Sequence, residues 1–579
     1  MRDSKKEAAK RFMDEQDYSK GAREHLEYPE TTMSQMVEQT AKKYPKVTAY
    51  EFYGRRTTYA GLVSSVEEAA RALMALGIRR NDAVTVCLPN IPQALAIFYG
   101  INRIGAVANM IHPLSAQQEI SYYLNYADSR VIVTVDMFYE KVKDACAAVS
   151  KPVQIIICRM QDVLPVHLKV GFTLKEGHRY LHFPDRKGDL TWKAFMKKGA
   201  ARREELPPYR FDRKHTATIL YSGGTTGKPK GVCLSDLNFN ALALQAKEAI
   251  RSEIRPGMTM LSCMPMFHGF GLGINIHTIL VHGGCCILMP TFSIKNYSDM
   301  MIRKRPNYLA GVPNIYGALL AAPALKTADL SFLKGMFCGG DALSLGLKEK
   351  VDQFLKDHGA SIQVREGYGL TECVTASCLT PRDTFRPHSI GLPFPDTVYD
   401  IVRPGTDESL PRGESGEIVL KGPTLMLGYL HEKEETKQTL RRRRDGDIWL
   451  YSGDLGYMDE DGYVYFIQRI KRMIVTNGYN VYPSQIEDIL DAWDKVSCSC
   501  VIGVPDVKRG QLIKAFIVPA SGKLPADVTE EEEIKEEIRA YLKERVAAYA
   551  LPREIELRAE LPRTLVGKVA YRILEEECA

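Results

Sequence analysis

One stretch of the chain combines residue types that could hold a polyphosphate. It covers residues 221–231 with the sequence YSGGTTGKPKG and follows an apolar, β-type run over residues 216–220. Its eleven residues include four glycines, three Ser or Thr hydroxyls and two lysines. Backbone amides in such a loop can converge on phosphate oxygens while the lysines neutralise their charge. The stretch therefore predicts a triphosphate-binding loop, although a glycine-rich segment can also be only a turn.

This loop departs from the Walker A pattern. That pattern needs a glycine five residues before its Gly-Lys-[Ser/Thr] ending, whereas Gly227-Lys228 is preceded at that distance by Ser222 and followed by Pro229. We therefore expect the nucleotide to be held in a different way from that of P-loop proteins.

Length and composition are typical of a globular protein with more than one domain. The 579 residues exceed what one hydrophobic core usually organises, and 45% are hydrophobic and 26% charged. The net charge of +6 is small for this length and does not indicate nucleic acid as a partner. Thirteen cysteines without a regular spacing favour a reducing compartment over a disulfide framework. The charged N-terminus lacks the apolar segment of a signal peptide. The expectation is a cytoplasmic protein, with peripheral contact to the inner face of the membrane left open.

Helical and β-type periodicities alternate along most of the chain. Helices are predicted, for example, over residues 33–43 and 117–126, with a strand over residues 130–135. Such alternation predicts parallel sheets covered by helices. After about residue 391 the chain becomes β-rich with many turns, and a charged helix is predicted over residues 530–548.

The predicted fold class is α/β, with two domains. Residues 1–470 are expected to form a large N-terminal domain of helix-covered sheets, whose β-rich subdomain covers about 391–470. Residues 471–579 are expected to form a small, mobile α+β C-terminal domain.

Two basic segments interrupt this organisation. Residues 159–203 contain eleven Lys or Arg against four Asp or Glu, with aromatic residues between them. A surface insertion is the plain interpretation, and an interfacial membrane patch is the alternative. Residues 441–444 are four consecutive arginines. They are interpreted as a solvated loop, with contact to coenzyme A phosphates or acidic lipid headgroups as the alternative.

Five further motifs follow the loop along the chain. They are PMFHGFG at 265–271, EGYGLTE at 366–372, YSGDLG at 451–456, QRIKRMIVTNGYNVYP at 468–483 and PRTLVGK at 562–568. Together with the loop, and in the same order, they resemble the adenylate-forming superfamily of acyl-CoA synthetases, luciferases and peptide-synthetase adenylation domains. The resemblance covers about residues 31–574. It is greatest to bacterial long-chain fatty acid–CoA ligases.

The resemblance implies a reaction in two halves. A carboxylate attacks the α-phosphorus of ATP to give an acyl-AMP and pyrophosphate, and the thiol of coenzyme A then attacks the acyl carbon. Positioning and charge stabilisation by the protein supply most of the barrier reduction. The implied cofactors are ATP, Mg²⁺ and coenzyme A, and the implied partner is a small carboxylic acid. A medium- or long-chain fatty acid is the leading substrate.

The resemblance also implies roles on the nucleotide side. Tyr368 offers a flat face to adenine, Thr371 a hydroxyl to the α-phosphate, and Glu372 a hard oxygen ligand to Mg²⁺. Asp454 takes the ribose hydroxyls, and Arg469 supports the ribose or the α-phosphate. The remaining implied nucleotide contacts are Ser222, Gly223, Gly224, Thr225, Thr226, Gly227 and Lys230 around the β- and γ-phosphates, with Thr226 also at the metal, Gly339, Gly340 and Asp341 around adenine, and Gly369 at the nucleotide.

Three implied roles belong to the C-terminal domain. Lys471 matches the hinge between the domains, and Gly478 lines the pantetheine channel because a side chain there would obstruct a narrow path. Lys568 reaches the carboxylate and the α-phosphate and stabilises the developing charge.

The acyl side is predicted from less specific residues. His268 lies in a segment that the family places between the nucleotide and acyl pockets, although a histidine among aromatic residues can equally be a core residue. Phe270, Val312 and Tyr316 are candidates for the acyl wall, and apolar residues near strand ends are core by default.

Three other functions stay open. The acid could be aromatic, a bile acid or another bulky acid, and the acceptor could be a carrier protein in place of coenzyme A. A non-catalytic nucleotide-binding relative is the alternative outside enzymes, against which stands the presence of Glu372, Asp454, Arg469 and Lys568.

Overall fold

The computed structural model describes residues 25–165, 168, 188–202, 204–222, 229–251, 254–477, 479–506, 508–563 and 569–578. Three sheets organise these residues, and helices cover them. The α/β fold class that the sequence predicts is confirmed.

The longest sheet contains fourteen strands within the described ranges and changes character at Val364–Tyr368. This strand runs parallel to Gly335–Cys338 on one side and antiparallel to Cys378–Leu379 on the other. The strands that precede it in the chain pair in parallel, except for the antiparallel edge pair Thr48–Phe52 and Arg55–Thr58, and the antiparallel, β-rich half follows it. Across the sheet the order is Val398–Val402, Gly416–Lys421, Ile448–Met458, Val464–Arg469, Ser389–Pro393, Cys378–Leu379, Val364–Tyr368, Gly335–Cys338, Tyr308–Gly311, Thr259–Ser262, Cys285–Leu288, Thr48–Phe52 and Arg55–Thr58, with Leu440–Arg442 beside Ile448–Met458.

The second sheet carries the glycine-rich stretch at one side. Thr218–Ser222 pairs with Lys230–Leu234 in antiparallel fashion, and Ser222 lies opposite Lys230. The loop between them therefore joins two neighbouring strands instead of leading into a helix, as a P-loop does. The strands follow the order Gly428–Tyr429, Lys230–Leu234, Thr218–Ser222, Val107–Met110, Ala83–Cys87, Val131–Val135, Gln154–Cys158 and Leu190–Thr191.

Capped helices cover both sheets. Thr32, Ser235 and Ser344 each accept a hydrogen bond from a backbone amide in the first turn of the helix that follows. The α-helices are Met33–Lys43, Tyr59–Ala75, Pro92–Arg103, Gln117–Tyr126, Tyr139–Ala147, Trp192–Ala201, Asp236–Ile250, Ile279–Val281, Ile294–Lys304, Pro313–Leu320, Leu345–Asp357, Lys433–Thr439, Pro483–Asp491, Val528–Lys543 and Tyr571–Glu577. Short 3₁₀ turns are Asp136–Phe138, Met160–Asp162, Pro323–Leu325, Thr371–Cys373, Ile470–Arg472 and Ala548–Ala550.

One hydrophobic core joins the two large sheets. It includes Phe52 from the longest sheet, Val86 from the second sheet and Phe98 from the helix Pro92–Arg103, and all three side chains are buried. The strand ends of both sheets are therefore held in one packed body.

The third sheet belongs to the C-terminal part of the chain. Its order is Tyr479–Val481, Ile474–Thr476, Gly510–Pro519 and Val496–Asp506, with Glu554–Leu557 beside Gly510–Pro519. Its hydrophobic cluster contains Ile474, Val501 and Leu542 and is distinct from the large core. The domain boundary between residues 470 and 471 stays a prediction.

Several predicted elements are confirmed and others differ. The helix over 117–126 has the predicted bounds. The helix predicted over 530–548 is Val528–Lys543, because Asp527 caps it and the amides of Arg545 and Val546 both bond to the carbonyl of Leu542. A π-helix that was not predicted, Phe270–Thr278, lies after the strand Thr259–Ser262, and all nine of its residues are buried.

The basic segment over 159–203 is only partly described, and its described end does not behave as a surface insertion. The helix Trp192–Ala201 packs against Tyr59–Ala75. Phe195 is fully buried there, and Gly199 lies so close that an added Cβ would be 2.1 Å from the carbonyl oxygen of Glu68. Among the described helices, none is long and apolar enough to cross a bilayer.

Candidate active site

Ends of strands from both large sheets carry most of the residues singled out by the motifs. Ser222 ends a strand of the second sheet, and Cys338 and Tyr368 end neighbouring strands of the longest sheet. Gly223, Gly224, Thr225, Thr226 and Gly227, together with Gly478 and Lys568, lie outside the described residues. Ligands in open parallel sheets gather beyond such carboxyl ends.

Asp454 is held between an aromatic hydroxyl and a guanidinium. The hydroxyl of Tyr368 donates to Oδ2 of Asp454 at 2.6 Å, and Nε of Arg469 lies 2.9 Å from Oδ1. Asp454 and Arg469 are opposite each other on the antiparallel strands Ile448–Met458 and Val464–Arg469. The carboxylate is 1% exposed and the guanidinium side chain 53%. The negative charge of Asp454 raises the pKa of Arg469 above its usual range.

Neighbouring residues also restrict the ring of Tyr368 and the backbone before Asp454. The ring of Tyr368 lies 6.0 Å from that of Phe466, centroid to centroid, at an angle of 34°. The backbone amide of Asp454 donates to Oγ of Ser452 at 3.0 Å. One face of Tyr368 is therefore packed, and the turn before Asp454 is fixed.

Glu372 lies in a strained turn directly after Tyr368. Its carboxylate Oε1 accepts a hydrogen bond from the hydroxyl of Tyr429 at 2.7 Å. Glu372 is the middle residue of the 3₁₀ turn Thr371–Cys373, which Val374 caps. The φ of 70° and ψ of −58° at Val374 form a γ-turn closed by the amide of Thr375 and the carbonyl of Cys373 at 2.9 Å. A β-branched residue rarely adopts this conformation, so the segment is held by its surroundings.

Close backbone contact joins this turn to the PMFHGFG segment. A Cβ added to Gly269 would lie 1.7 Å from the carbonyl oxygen of Val374. Glycine is required there because any side chain would displace the turn that carries Glu372.

Lys230 already has an acidic neighbour. Its ammonium pairs with Glu435, on the helix Lys433–Thr439, and lies 5.3 Å from the centroid of the Tyr429 ring. The pKa of Lys471 is lowered, first by its own partial desolvation and then by the positive charge of Lys230 nearby. The predicted hinge residue and the predicted phosphate-binding lysine therefore lie in one electrostatic neighbourhood.

Gly339, Gly340 and Asp341 form the turn after the strand Gly335–Cys338. Gly340 has a φ of +85°, which favours glycine. Asp341 is exposed, and its Oδ1 accepts a hydrogen bond from the amide of Ala342 at 3.1 Å. The turn lies beside Gly367, whose carbonyl would be 3.0 Å from a Cβ on Gly339. Gly369, after Tyr368, is equally restricted, since an added Cβ would meet the carbonyl of Thr375 at 1.9 Å.

The predicted acyl-side residues differ in their solvent exposure. His268 and Val312 are partly buried, and Phe270 is buried at the start of the π-helix. Tyr316 is fully buried in a second hydrophobic core, where its hydroxyl donates to the carbonyl of Phe337. In this arrangement Tyr316 is a core residue, and its part in an acyl wall stays a prediction.

The C-terminal elements approach the site beside Arg469. The ring of Tyr571 lies 4.8 Å from the guanidinium of Arg472, and Oγ of Ser484 donates to the carbonyl of Ile467 at 2.8 Å. Arg563 pairs with Val569 in an isolated bridge, so the described flanks of the motif that ends in Lys568 lie next to each other.

The four consecutive arginines differ in exposure: Arg442 and Arg444 are exposed, whereas Arg441 and Arg443 are partly buried. Arg443 is 10% exposed and pairs with Asp400 at 2.6 Å. The guanidinium of Arg441 lies 4.0 Å from the ring of Tyr451, and Arg442 bonds to the carbonyl of Gly446. The solvated-loop interpretation is therefore wrong for Arg443, because Asp400 on the strand Val398–Val402 and Trp449 on the strand Ile448–Met458 both lie against it.

Tyr429, Glu435 and Phe466 were missed by sequence reasoning. Tyr429 and Glu435 lie in a segment that reads as a turn and a charged helix, and Phe466 as an ordinary strand residue. Nothing in their local pattern indicates a contact with residues 57 to 205 positions away.

The donor set fits a nucleotide-bound Mg²⁺ better than a cation held by the protein alone. In the described part of the chain, no group of three or more His, Cys, Asp or Glu could hold a metal ion. Mg²⁺ at phosphates is commonly bound through one or two carboxylates, with phosphate oxygens and water completing the shell. Glu372, fixed through one oxygen by Tyr429, offers such a ligand.

Comparison with known proteins gives a consistent result. The family described as AMP-binding enzyme matches residues 37–430, and the AMP-binding enzyme C-terminal domain matches residues 485–568. A long-chain-fatty-acid–CoA ligase of Bacillus subtilis is 34% identical over 95% of this chain and 96% of its own length. A probable 4-coumarate–CoA ligase of Dictyostelium discoideum is 30% identical over 79% of this chain and 80% of its own. The ATP-bound crystal structure of MatB from Rhodopseudomonas palustris has a TM-score of 0.78 at 26% identity, covering 94% of this chain and 98% of MatB. The chain belongs to the AMP-binding enzyme family.

Proposed function

We propose that this chain is an ATP-dependent fatty acid–CoA ligase for medium- or long-chain acids. It forms an acyl-adenylate with release of pyrophosphate, and then an acyl-CoA with release of AMP. The observation that carries the proposal is the Asp454 carboxylate held between Tyr368 and Arg469, with Glu372 in the turn that follows Tyr368 along the chain. The similarity to the Bacillus subtilis long-chain-fatty-acid–CoA ligase over almost the whole chain supports the choice of acid and acceptor.

The residues around Asp454 bind and orient the nucleotide. Asp454 accepts hydrogen bonds from the ribose hydroxyls, and the half-exposed guanidinium of Arg469 offers further N–H donors to the ribose or α-phosphate. Ser222, Thr225, Thr226 and Lys230 hold the phosphates that leave as pyrophosphate. A Mg²⁺ ion bound with ATP would neutralise phosphate charge, and Glu372 and Thr226 are the residues that would hold it.

The C-terminal part supplies groups for each half-reaction. Lys568 stabilises the charge that develops on the carboxylate and α-phosphate during adenylation. Residues 471–579 then rotate as a mobile domain about Lys471 and bring Gly478 to the thiol path. His268, with Phe270 and Val312, borders the acyl side.

One experiment tests both halves separately. ATP–pyrophosphate exchange, dependent on added acid, measures adenylation, and thioester formation from preformed acyl-AMP measures the second step. Lys568→Ala should abolish exchange, because the developing charge loses its cation, and should leave the thioester step active. An equal loss of both steps would contradict the role given to Lys568.

A second acid class is favoured by one observation, the 30% identity to a probable 4-coumarate–CoA ligase. A screen of AMP release with coenzyme A and fatty, aromatic and bile acids separates the two classes. Exchange without thioester formation would instead favour a carrier-protein acceptor, and no exchange with any acid a non-catalytic relative.

A further inference from the structure

The hydroxyl of Tyr429 reaches the carboxylate of Glu372 from another part of the fold. Tyr429 belongs to Gly428–Tyr429, at the edge of the second sheet, and Glu372 to the turn Thr371–Cys373 after a strand of the longest sheet. The 2.7 Å hydrogen bond from the Tyr429 hydroxyl to Oε1 thus joins the two sheets at this carboxylate. Fifty-seven residues separate the two in the chain.

The backbone around Tyr429 is anchored on three sides. Tyr429 pairs with Val232 in the sheet, and its amide donates to Oγ1 of Thr436 at 2.9 Å. Three residues earlier, the amide of Met426 donates to the backbone carbonyl of Glu372 at 2.8 Å. The segment therefore fixes both the main chain and the side chain of Glu372.

The phenol is a permanent donor in this position. A phenol is protonated at neutral pH and an ionised carboxylate has only acceptor oxygens, so the Tyr429 hydroxyl donates to Glu372. The ring face lies 5.3 Å from the ammonium of Lys230, which approaches from the phosphate-loop hairpin. Tyr429 thus contacts one residue proposed to meet the metal and one proposed to meet the phosphates.

We propose that Tyr429 is a positioning residue for Glu372. By binding Oε1, it orients the carboxylate so that the other oxygen is presented to the Mg²⁺ that accompanies ATP. Partners that orient a metal-binding carboxylate typically change metal affinity or activity by 10- to 100-fold when removed. The inference rests on the proposed function of Glu372 and adds a residue that no motif indicates.

The test removes only the hydroxyl, with Tyr429→Phe. We expect the Mg²⁺ concentration for half-maximal ATP–pyrophosphate exchange to rise about tenfold. Binding of Mn²⁺ to the enzyme–ATP complex, followed by electron paramagnetic resonance, should weaken by the same factor. Thioester formation from preformed acyl-AMP, which involves no triphosphate, should be retained. A merely structural role would instead lower the unfolding temperature and both half-reactions together, with no change in the Mg²⁺ requirement.

Matched variants keep the result unambiguous. Tyr28→Phe is the control, because Tyr28 also donates to a carboxylate, Asp396, at 2.7 Å, and should leave the Mg²⁺ requirement unchanged. Tyr429→Leu also removes the hydroxyl and adds no donor, so it should raise the Mg²⁺ requirement in the same way and is the second variant if Tyr429→Phe gives too little folded protein.

A double-mutant cycle then separates this inference from the proposed function. If Tyr429 acts through Glu372, Tyr429→Phe added to Glu372→Gln should raise the Mg²⁺ requirement no further. If Glu372→Gln itself leaves the Mg²⁺ requirement unchanged, the proposed role of Glu372 fails. If Glu372→Gln raises it and Tyr429→Phe does not, only the inference about Tyr429 fails.

Discussion

Two buried aspartates of the longest sheet each pair with an arginine, but the two pairs face water differently. The carboxylate of Asp454 is 1% exposed and its partner Arg469 53%. Asp400 is 7% exposed and its partner Arg443 10%. In the second pair, the guanidinium also donates to the carbonyl of Asp407 and to Oγ of Ser409 and lies against the ring of Trp449.

This difference separates a pair that can bind a ligand from one that holds the fold. Arg443 directs its donors to partners within the protein, so a ligand would have to displace them. Arg469 keeps much of its side chain at the surface, while the carboxylate that anchors it stays buried. A guanidinium presents five N–H donors in a rigid fork, so one face can be anchored while the rest meets phosphate or ribose.

The largest effect that follows concerns Asp454. Asp454→Asn should lower ATP–pyrophosphate exchange about 10²- to 10³-fold, because the group that anchors Arg469 and would take the ribose hydroxyls loses its charge. The unfolding temperature should change little, since Arg469 can remain hydrated without its partner. Exchange kinetics and thermal unfolding, measured on the same preparation, check both parts.

Asp400→Asn is the matched control with the opposite expectation. Removing one charge of a buried pair leaves the other without compensation and should destabilise the fold by about 3 kcal/mol. Exchange by the folded fraction should persist. The different roles given to the two pairs would be contradicted if Asp400→Asn lowered exchange as strongly as Asp454→Asn, or if Asp454→Asn mainly unfolded the protein.

Glu366 is a third carboxylate to compare, partly buried and held by a backbone amide instead of an arginine. Its Oε1 accepts a hydrogen bond from the amide of Leu343 at 3.0 Å. Burial raises its pKa to about 7, with Asp488 and Asp341 adding repulsion and Lys348 opposing it. The folded state therefore binds this proton more tightly than the unfolded state. Stability should fall as pH rises from about 4.5 to about 7 and then level off.

Glu366→Gln should remove this fall in stability with rising pH and keep an acceptor for the backbone amide of Leu343. The variant should be more stable than the original protein by roughly 3 kcal/mol at pH 8 and nearly equal at pH 4.5. Denaturant unfolding at several pH values measures the difference. Glu434→Gln, at an exposed carboxylate, should leave the pH dependence unaltered, and the same result for Glu366→Gln would refute the assignment.

The sequence was sufficient to predict the strand ends and the candidate site residues on them. Alternating periodicity gave the helix Gln117–Tyr126 its bounds, and the EGYGLTE and YSGDLG motifs located Tyr368 and Asp454, which the structure brings within 2.6 Å. This succeeded because strand periodicity is local and because strand pairing puts Asp454 opposite Arg469. The catalytic roles of these residues stay predictions.

What sequence reasoning could not reach depends on contacts between distant segments. Four arginines in a row suggest solvent exposure by composition, yet sheet geometry turns Arg443 toward Asp400, 43 residues away. The γ-turn at Val374 packs closely against Gly269, and neither residue alone indicates that contact. Tyr429 and Glu435 carry no local signal, because their partners belong to other elements.

Like the Asp454–Arg469 pair, the Lys230–Glu435 pair has one partly exposed side chain and contains a residue proposed to bind the nucleotide. Glu435 is 34% exposed and neutralises the lysine proposed to hold phosphates. Glu435→Gln should free the ammonium and remove a repulsive charge near the triphosphate. We expect the KM for ATP to fall about twofold, the size typical of a partly exposed pair, while kcat is retained.

Salt dependence and a neighbouring carboxylate make this effect measurable. Screening of exposed charges should reduce the difference in KM between Glu435→Gln and the original protein as ionic strength rises from 0.01 to 1 M, over which the Debye length shortens from about 30 to about 3 Å. Glu434→Gln changes the same charge on the same helix, where Glu434 pairs with Lys437 instead, and should leave the KM for ATP unchanged. If both variants lower KM equally, the general charge of the helix governs ATP binding. If Glu435→Gln raises KM, Glu435 holds Lys230 in its binding position and does not compete with phosphate.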